Sequence, residues 1–302
     1  FVPDPHTKGD LESLEIVDLM WNRFTGQFPA TYASLENLRM LDFSKNSLKG
    51  IIPHSLTAIS TLEVLILEEN QLTGELPAYV GSGGALKDLR LGNNDLTGEI
   101  PNYDGLDTLS LSGNHGLDIA KYASNLANVQ NLDVSVKNCD FPEGLVNPER
   151  TVFSVSSIYT AGNDVLCKLN STELSKWGVL KSSKLTDLAF MAGFDLSFTS
   201  DIVDILVEDG KASVKELLLG DVPLGPKYLR RELYHGHQTG IRGCGINMIR
   251  APILPENIGN LHNLNVILAP YGRSLYADGK SLVMLNTTLP ASLKDLEALQ
   301  LL

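Results

Sequence analysis

The stretch Ile59-Ser60-Thr61-Leu62-Glu63-Val64-Leu65-Ile66-Leu67-Glu68-Glu69-Asn70-Gln71-Leu72-Thr73-Gly74-Glu75-Leu76-Pro77 decides the fold, because its pattern returns at a fixed interval on both sides. Asn22, Asn46, Asn70 and Asn94 stand 24 residues apart, and each follows an apolar pair at the same offsets: Val17/Leu19, Leu41/Phe43, Leu65/Leu67 and Leu89/Leu91. Beyond each Asn the order apolar, any, Gly, any, apolar, Pro recurs, from Phe24 to Pro29, Leu48 to Pro53, Leu72 to Pro77 and Leu96 to Pro101. Four such copies make a structural repeat, in which each unit buries its apolar face only by stacking on its neighbours.

Each repeated residue has a physical use in a stacked coil. Alternation puts Leu65 and Leu67 on the inner side of a short strand and Ile66 on the opposite face, so stacked copies form a parallel sheet. An Asn at the strand's exit satisfies backbone groups of the adjoining turns, where a buried orphan costs ~1–3 kcal/mol. The Gly supplies a positive φ or a close backbone approach, and the Pro halts regular structure after it.

These residues resemble the leucine-rich repeat family, in particular its plant-type 24-residue subclass. The copy Ile59-x-x-Leu62-x-x-Leu65-x-Leu67-x-x-Asn70-x-Leu72-x-Gly74-x-Leu76-Pro77 carries the resemblance most fully, and the match covers residues 11–101. It implies an α/β fold: a curved, right-handed leucine-rich repeat solenoid with a single parallel concave sheet and an irregular or short-helix convex side. It also implies that Thr25, Thr73 and Thr97, with their Gly neighbours, form a plant-type second-strand segment.

After Pro101 the period changes. Leu106-x-x-Leu109-x-Leu111-x-x-Asn114 is a fifth copy arriving four residues early, and Val129-x-x-Leu132-x-Val134 is a sixth without its Asn. Strand patterns at Ile158/Thr160, after Val155, and at Leu188/Phe190, Leu217/Leu219 and Cys244/Ile246 recur at longer spacing, which leaves room for convex helices. Helices are expected over 171–177, ended by Gly178, and over Asp201–Glu208, preceded by Thr199-Ser200 and closed by Gly210. A plant-like pattern returns at Ile258/Leu261/Leu264/Ile267, and a last repeat opens at Leu289-Pro290. The expectation is one continuous array with about twelve strands: regular repeats over 11–138, longer irregular ones over 139–245, and shorter ones over 246–302. Its stop at Leu302, inside a repeat, suggests a piece of a longer protein.

Composition narrows function. The 302 residues are 43% hydrophobic and 20% charged, enough apolar surface to exclude wholesale disorder. A net charge of −12 sets most of the surface against a phosphate backbone, so no nucleic-acid partner is expected. No apolar run approaches the ~18–20 residues of a membrane span, so this segment is not expected to insert in a membrane; Phe1 to His6 lacks the character of a signal peptide. Cys139, Cys167 and Cys244 are too few for a disulfide framework, and only Cys139 with Cys167 is a plausible pair.

The pattern holds no catalytic or metal-binding motif. His235-Gly236-His237 with Cys244 is not a zinc spacing, and Gly240 to Gly245 lacks a phosphate-loop Lys, so no metal and no cofactor is expected. No nucleophile elbow, metalloprotease helix or kinase signature occurs, and the chain is expected not to be an enzyme. Asn170 and Asn286 open glycosylation triplets, no more than random order supplies.

What remains is surface. Outward strand residues mix Met20, Trp21, Met40, Val64 and Ile66 with carboxylates, a combination usual at interface cores. The expected ligand-binding residues are Asp18, Met20, Trp21, Asp42, Ile66, Glu68 and Arg90, with Asp18, Asp42, Ile66 and Arg90 stacked as one column. The expected function is recognition of a protein or peptide ligand on the concave face; resemblance to the plant type implies a receptor-like ectodomain or a secreted inhibitor-like protein, extracellular or at the cell surface. The alternative is a cytoplasmic scaffold or regulatory array attached to a catalytic domain outside this chain.

Overall fold

The structure, a computed structural model, describes residues 11, 13–57, 59–78, 84–137, 145, 147, 149–158, 167–168, 184–190, 194–195, 200–207, 213–219, 256–264, 266–268 and 290–297. The chain divides into two compact units, Phe1–Asn147 and Pro148–Leu302.

In the first unit six parallel strands stack in chain order: β1 (Ile16–Asp18), β3 (Met40–Asp42), β5 (Val64–Ile66), β7 (Asp88–Arg90), β9 (Thr108–Ser110) and β11 (Asn131–Lys137). The register follows the repeat residue for residue. Val17 pairs with Leu41, Leu41 with Leu65, Leu65 with Leu89, Leu89 with Leu109 and Leu109 with Leu132. From Leu41 on, this inner column is wholly buried, as the alternation requires. Phe28, Tyr32 and Phe43 fill the first two rungs edge to face, with centroids 5.0–5.5 Å apart.

The ladder asparagines close the backbone at each strand's exit. Asn70 Nδ2 donates to the carbonyls of Phe43 at 2.9 Å, Leu67 at 3.1 Å and Glu68 at 3.2 Å, while Oδ1 accepts from Leu48 N at 3.0 Å. Asn46 and Asn94 repeat this set one rung away on either side. Each amide therefore serves its own rung and the preceding one. The early fifth repeat keeps the ladder, since Asn114 bonds Leu91 O and Leu111 O, both at 3.0 Å, and accepts from Leu96 N at 3.1 Å. The sixth repeat has no Asn at this place, and its strand β11 runs straight on to Lys137.

Past the asparagines a second parallel sheet forms from β2 (Thr25–Gln27), β4 (Ser47–Gly50), β6 (Gln71–Glu75), β8 (Asp95–Gly98) and β10 (Gly116–Leu117). Gly74 shows why glycine recurs there. Its φ is +86°, and a Cβ on it would lie 2.8 Å from Cγ2 of Ile51, which leans over it from the preceding rung. The prolines act otherwise than expected: Pro29 and Pro53 do not end regular structure but lead into a 3-10 helix, Ala30–Ser34, and a one-turn α1, His54–Thr57. A fixed φ and a missing N–H suit the start of a helical turn, where the N–H would be an orphan anyway.

The second unit has its own parallel set, β12 (Val152–Ile158), β14 (Asp187–Phe190), β16 (Glu216–Leu219) and β17 (Val266–Leu268), in that order. Strands thus occur at Phe190 and Leu219, as the spacing predicts, but in β12 it is Phe153 and Val155 that stand opposite Leu188 and Phe190, five residues ahead of the expected Ile158 and Thr160. Two short strands, β13 (Cys167–Lys168) and β15 (Phe194–Asp195), pair with each other. The expected helix near Asp201 is α2 (Ser200–Leu206), which buries Val203 and Leu206. The expected helix over 171–177, and Cys139, Cys244, His235, His237, Asn170 and Asn286, lie outside the described residues.

Asn70→Ala leaves the Leu48 N–H and the Phe43 carbonyl without their side-chain partner, and is expected to lower stability by about 1–3 kcal/mol in denaturant unfolding. Gly74→Ala is expected to cost about 1–2 kcal/mol from its φ alone. Adding Ile51→Ala should relieve the contact but not that backbone strain, so a double variant restored to wild-type stability would contradict the assignment.

Candidate functional site

The face of the six-strand sheet turned away from the core carries three kinds of side chain in columns set by the register. The first is a ridge where each chain bends out of its strand. Trp21, Lys45, Glu69 and Asn93 all take the left-handed conformation, with φ between 53° and 57°. Such a conformation is strained for a side-chain-bearing residue, and it is held by cross-rung bonds from Trp21 N to Ser44 O, Lys45 N to Glu68 O, Glu69 N to Gly92 O and Asn93 N to Ser112 O. The side chains then stack. Lys45 Nζ lies 4.5 Å from the Trp21 ring centroid and 3.6 Å from Glu69 Oε1, while the indole stays 49% exposed.

The second is an ion ladder at the opposite end of the strands. Arg39 donates through Nε and Nη2 to Glu63 Oε1 at 3.0 and 2.8 Å and approaches Glu15 at 3.8 Å. The hydrogen bond to Glu63 raises the Arg39 pKa, but the group is fully exposed and such pairs add little stability.

The third, between them, is a set of polar side chains packed almost out of water. Asp42 and Arg90 are each 1% exposed, and Ser110 and Asp133 extend the same column in a buried state. Arg90 grips Asp88 in a fork, Nε to Oδ1 at 2.8 Å and Nη2 to Oδ2 at 2.7 Å. Burial pushes the Asp42 carboxyl above its usual range and Asp18 adds to the rise, against bonds from the Ser44 hydroxyl and amide and the charge of Arg90. Loss of hydration pushes the half-buried Glu68 carboxyl up to about 7, with Asp133 and Glu69 adding to the rise and the Ser110 hydroxyl and Arg90 opposing it.

The seven expected residues therefore separate by exposure. Asp18 and Trp21 are open, and Met20 is half-buried. Asp42, Ile66 and Arg90 are buried, which corrects the picture of an open column from Asp18 to Arg90. The alternation places them on the outward face, as expected, but neighbouring side chains on that face close over them, and Arg90's charge is already engaged by Asp88. Sequence reasoning missed the partners Ser110, Ser112 and Asp133, whose only signal was their place in the same columns of the shortened fifth and sixth repeats. Among the described residues, no group of three or more His, Cys, Asp or Glu could hold a metal ion, and no helix is long and apolar enough to cross a membrane.

A family model described as leucine rich repeat matches residues 12–72, on the rungs that build this face. Residues 12–72 thus carry leucine-rich repeats. Among solved structures, these leucine-rich repeats are similar to the BIR3–SERK2 complex of Arabidopsis thaliana, at 38% identity over 33% of this chain and 54% of that one, with a TM-score of 0.30. The leucine-rich repeat ectodomain of the receptor kinase SOBIR1 of Arabidopsis thaliana matches at 30% identity over 34% of this chain and 58% of that one, with a TM-score of 0.32. The plant peptide hormone receptor RGFR1, solved with RGF2, aligns with 96% of this chain and 36% of its own, at 20% identity and a TM-score of 0.45. The chain thus spans about half of the first two and about a third of the last. Among curated proteins nothing matches.

Because Ile66 is 3% exposed, Ile66→Ala is expected to act as a cavity substitution, costing about 2–4 kcal/mol in stability. Chemical denaturation measures it; an unchanged midpoint would mean that the side chain is free on the surface.

Proposed function

We propose that this leucine-rich repeat chain is a recognition module that binds a protein or peptide on the outward face of its first unit, the concave face in the plant-type fold. The observation that carries the reading is the exposed edge of that face. Ile16, Asp18 and Trp21 stand open beside the half-buried Met20, and the Trp21–Lys45–Glu69 ridge lies next to them. An aromatic anchor fixed by a cation, with carboxylates and apolar groups around it on a hydrogen-bonded support, is the composition of a binding hot spot.

Asp42, Ile66 and Arg90 belong to the site as its floor. They hold the rungs in register while Asp18, Met20, Trp21 and the edge of Glu68 meet the ligand. Parallel strands lie ~4.8 Å apart, so an extended segment crossing the rungs spends between one and two residues on each. Glu15, Asp18, Glu63 and Glu69 outnumber Arg39, Lys45 and Lys87 on the accessible part of the face, and the chain carries a net charge of −12, which together favour a ligand with basic and apolar side chains. The role is non-catalytic, and the plant-type repeats favour a receptor-like ectodomain or a secreted inhibitor-like protein, outside the cell or at its surface.

The test is selection of binders from a displayed random-peptide library, followed by calorimetry on variants. Trp21→Ala and Asp18→Ala should each weaken the selected peptides at least ten-fold, while Glu75→Ala and Glu99→Ala, beyond the asparagine turn, leave affinity unchanged. Peptides insensitive to Trp21 and Asp18 but lost with Glu75 or Glu99 would move the site to the second sheet.

A further inference from the structure

The outward residues of the first three rungs form a trough. In the register Ile16 pairs with Met40 and Met40 with Val64, so these three stand side by side, one on each rung. Ile16 is 60% exposed, and Met40 and Val64 are half-buried. On the fourth rung the same place holds Asp88, gripped by Arg90, and the apolar row stops there. Two residues further along each strand the surface is low, since Asp42 and Ile66 are buried and only Asp18, on the first rung, is open. Raised borders flank this floor. On one side Glu15, Arg39 and Glu63 keep between 45% and 61% of their side-chain surface in solvent, and on the other stands the ridge of Trp21, Lys45 and Glu69.

The spacing of the apolar row selects the form of chain that can follow it. Neighbouring rungs lie ~4.8 Å apart, so Ile16 and Val64 are separated by ~9.6 Å. An extended ligand carries same-side residues ~6.6 Å apart, and its third side chain would overshoot the third rung by more than 3 Å, roughly the length of one residue. A polyproline helix returns to the same side every ~9.3 Å, which meets the first and third rungs but passes over Met40. In an α-helix, residues three and seven places on lie ~4.5 and ~10.5 Å along the axis, within about 1 Å of the second and third rungs. The width agrees. Four residues of chain separate Ile16 from Met20, at most ~13 Å, and a helix with its side chains is ~10–12 Å across.

We infer that the ligand of this face is an amphipathic α-helix of a partner protein, laid across the first three rungs with apolar side chains at i, i+3 and i+7 on Ile16, Met40 and Val64. The inference rests on the recognition role proposed above and names the form of the ligand. Charge sets the rest of the helix. Around these rungs Glu15, Asp18, Glu63 and Glu69 face two cations, Arg39, already bonded to Glu63, and Lys45, already beside Glu69. The helix therefore carries Lys or Arg on the flanks of its apolar stripe, over Glu15 and Asp18.

The experiment screens the whole chain against two displayed libraries, linear random peptides and a stable three-helix bundle with one outer helix face randomised, and measures binders by calorimetry. Helix binders should show apolar residues at i, i+3 or i+4, and i+7 with basic neighbours, and Ile16→Ser and Met40→Gln should each weaken them at least ten-fold. Linear binders should gain at least three-fold when α-aminoisobutyrate replaces a residue off the stripe, and lose at least ten-fold with a proline at their centre. Linear binders that tolerate the central proline, with none from the helix library, overturn the helical ligand and leave the recognition role standing. Binders indifferent to Ile16→Ser and Met40→Gln but lost with Trp21→Ala overturn it too, by confining the contact to the ridge. Two libraries without a binder overturn both readings. Should Met40→Gln not fold, Ile16→Ser, at an exposed position, and the proline substitution in the binders decide.

Discussion

The asparagine amide at each strand's exit is the interaction on which the first unit rests. The chain must leave a parallel strand, turn sharply and keep going, and at that bend its carbonyls and N–H groups lose their sheet partners inside an apolar core. One side chain replaces them. Asn70 reaches carbonyls of its own rung and of the preceding one and takes the N–H of Leu48, so every rung is completed by the next. The dependence shows where the residue is missing: without it β11 makes no bend and continues as a strand to Lys137.

Turning so tightly leaves strain, and its distribution shapes the surface. At the ridge, Trp21, Lys45 and Glu69 accept a left-handed backbone and recover part of the cost through cross-rung bonds and through contact with one another. On the second sheet the bend is met by glycine, with Gly26, Gly50, Gly74 and Gly98 all at φ between 81° and 93°, whether the space above is filled, as at Gly74, or open, as at Gly26. The ridge and the glycine seam thus differ in backbone, φ of 53–57° against 81–93°, and the wider angle is the one that glycine adopts without steric cost.

The outward face shows how a repeat uses positions that its core does not claim. Positions 24 apart are equivalent in register, yet Asp18 is open and Asp42 is buried, because Asp18 lies on the edge strand while Asp42 is flanked by β1 and β5 and receives the Ser44 hydroxyl. The open residues accordingly lie at the edge of the array, where recognition is proposed, and the buried polar ones in its middle. Polar residues in that middle do what apolar packing does elsewhere, provided their hydrogen bonds close, as the Ser110 and Ser112 hydroxyls do on Asp133.

The repeat unit, the inward leucines, the asparagine ladder and the strands at Phe190 and Leu219 were legible in the sequence, because each follows from a period of two within a strand and a pattern that returns along the chain, at 24 residues in the first copies and more widely later. The prolines were read as stops and proved to be starts, since the same fixed φ serves either and only the following residues' path distinguishes them. Exposure on the outward face was not legible. Alternation states on which side of a strand Ile66 or Arg90 stands, but whether water reaches it depends on side chains one, two and three rungs away. The sequence therefore determined which residues face out of the core, and the tertiary structure alone decided which of these stay open to solvent and which, like Arg90 on Asp88, meet each other.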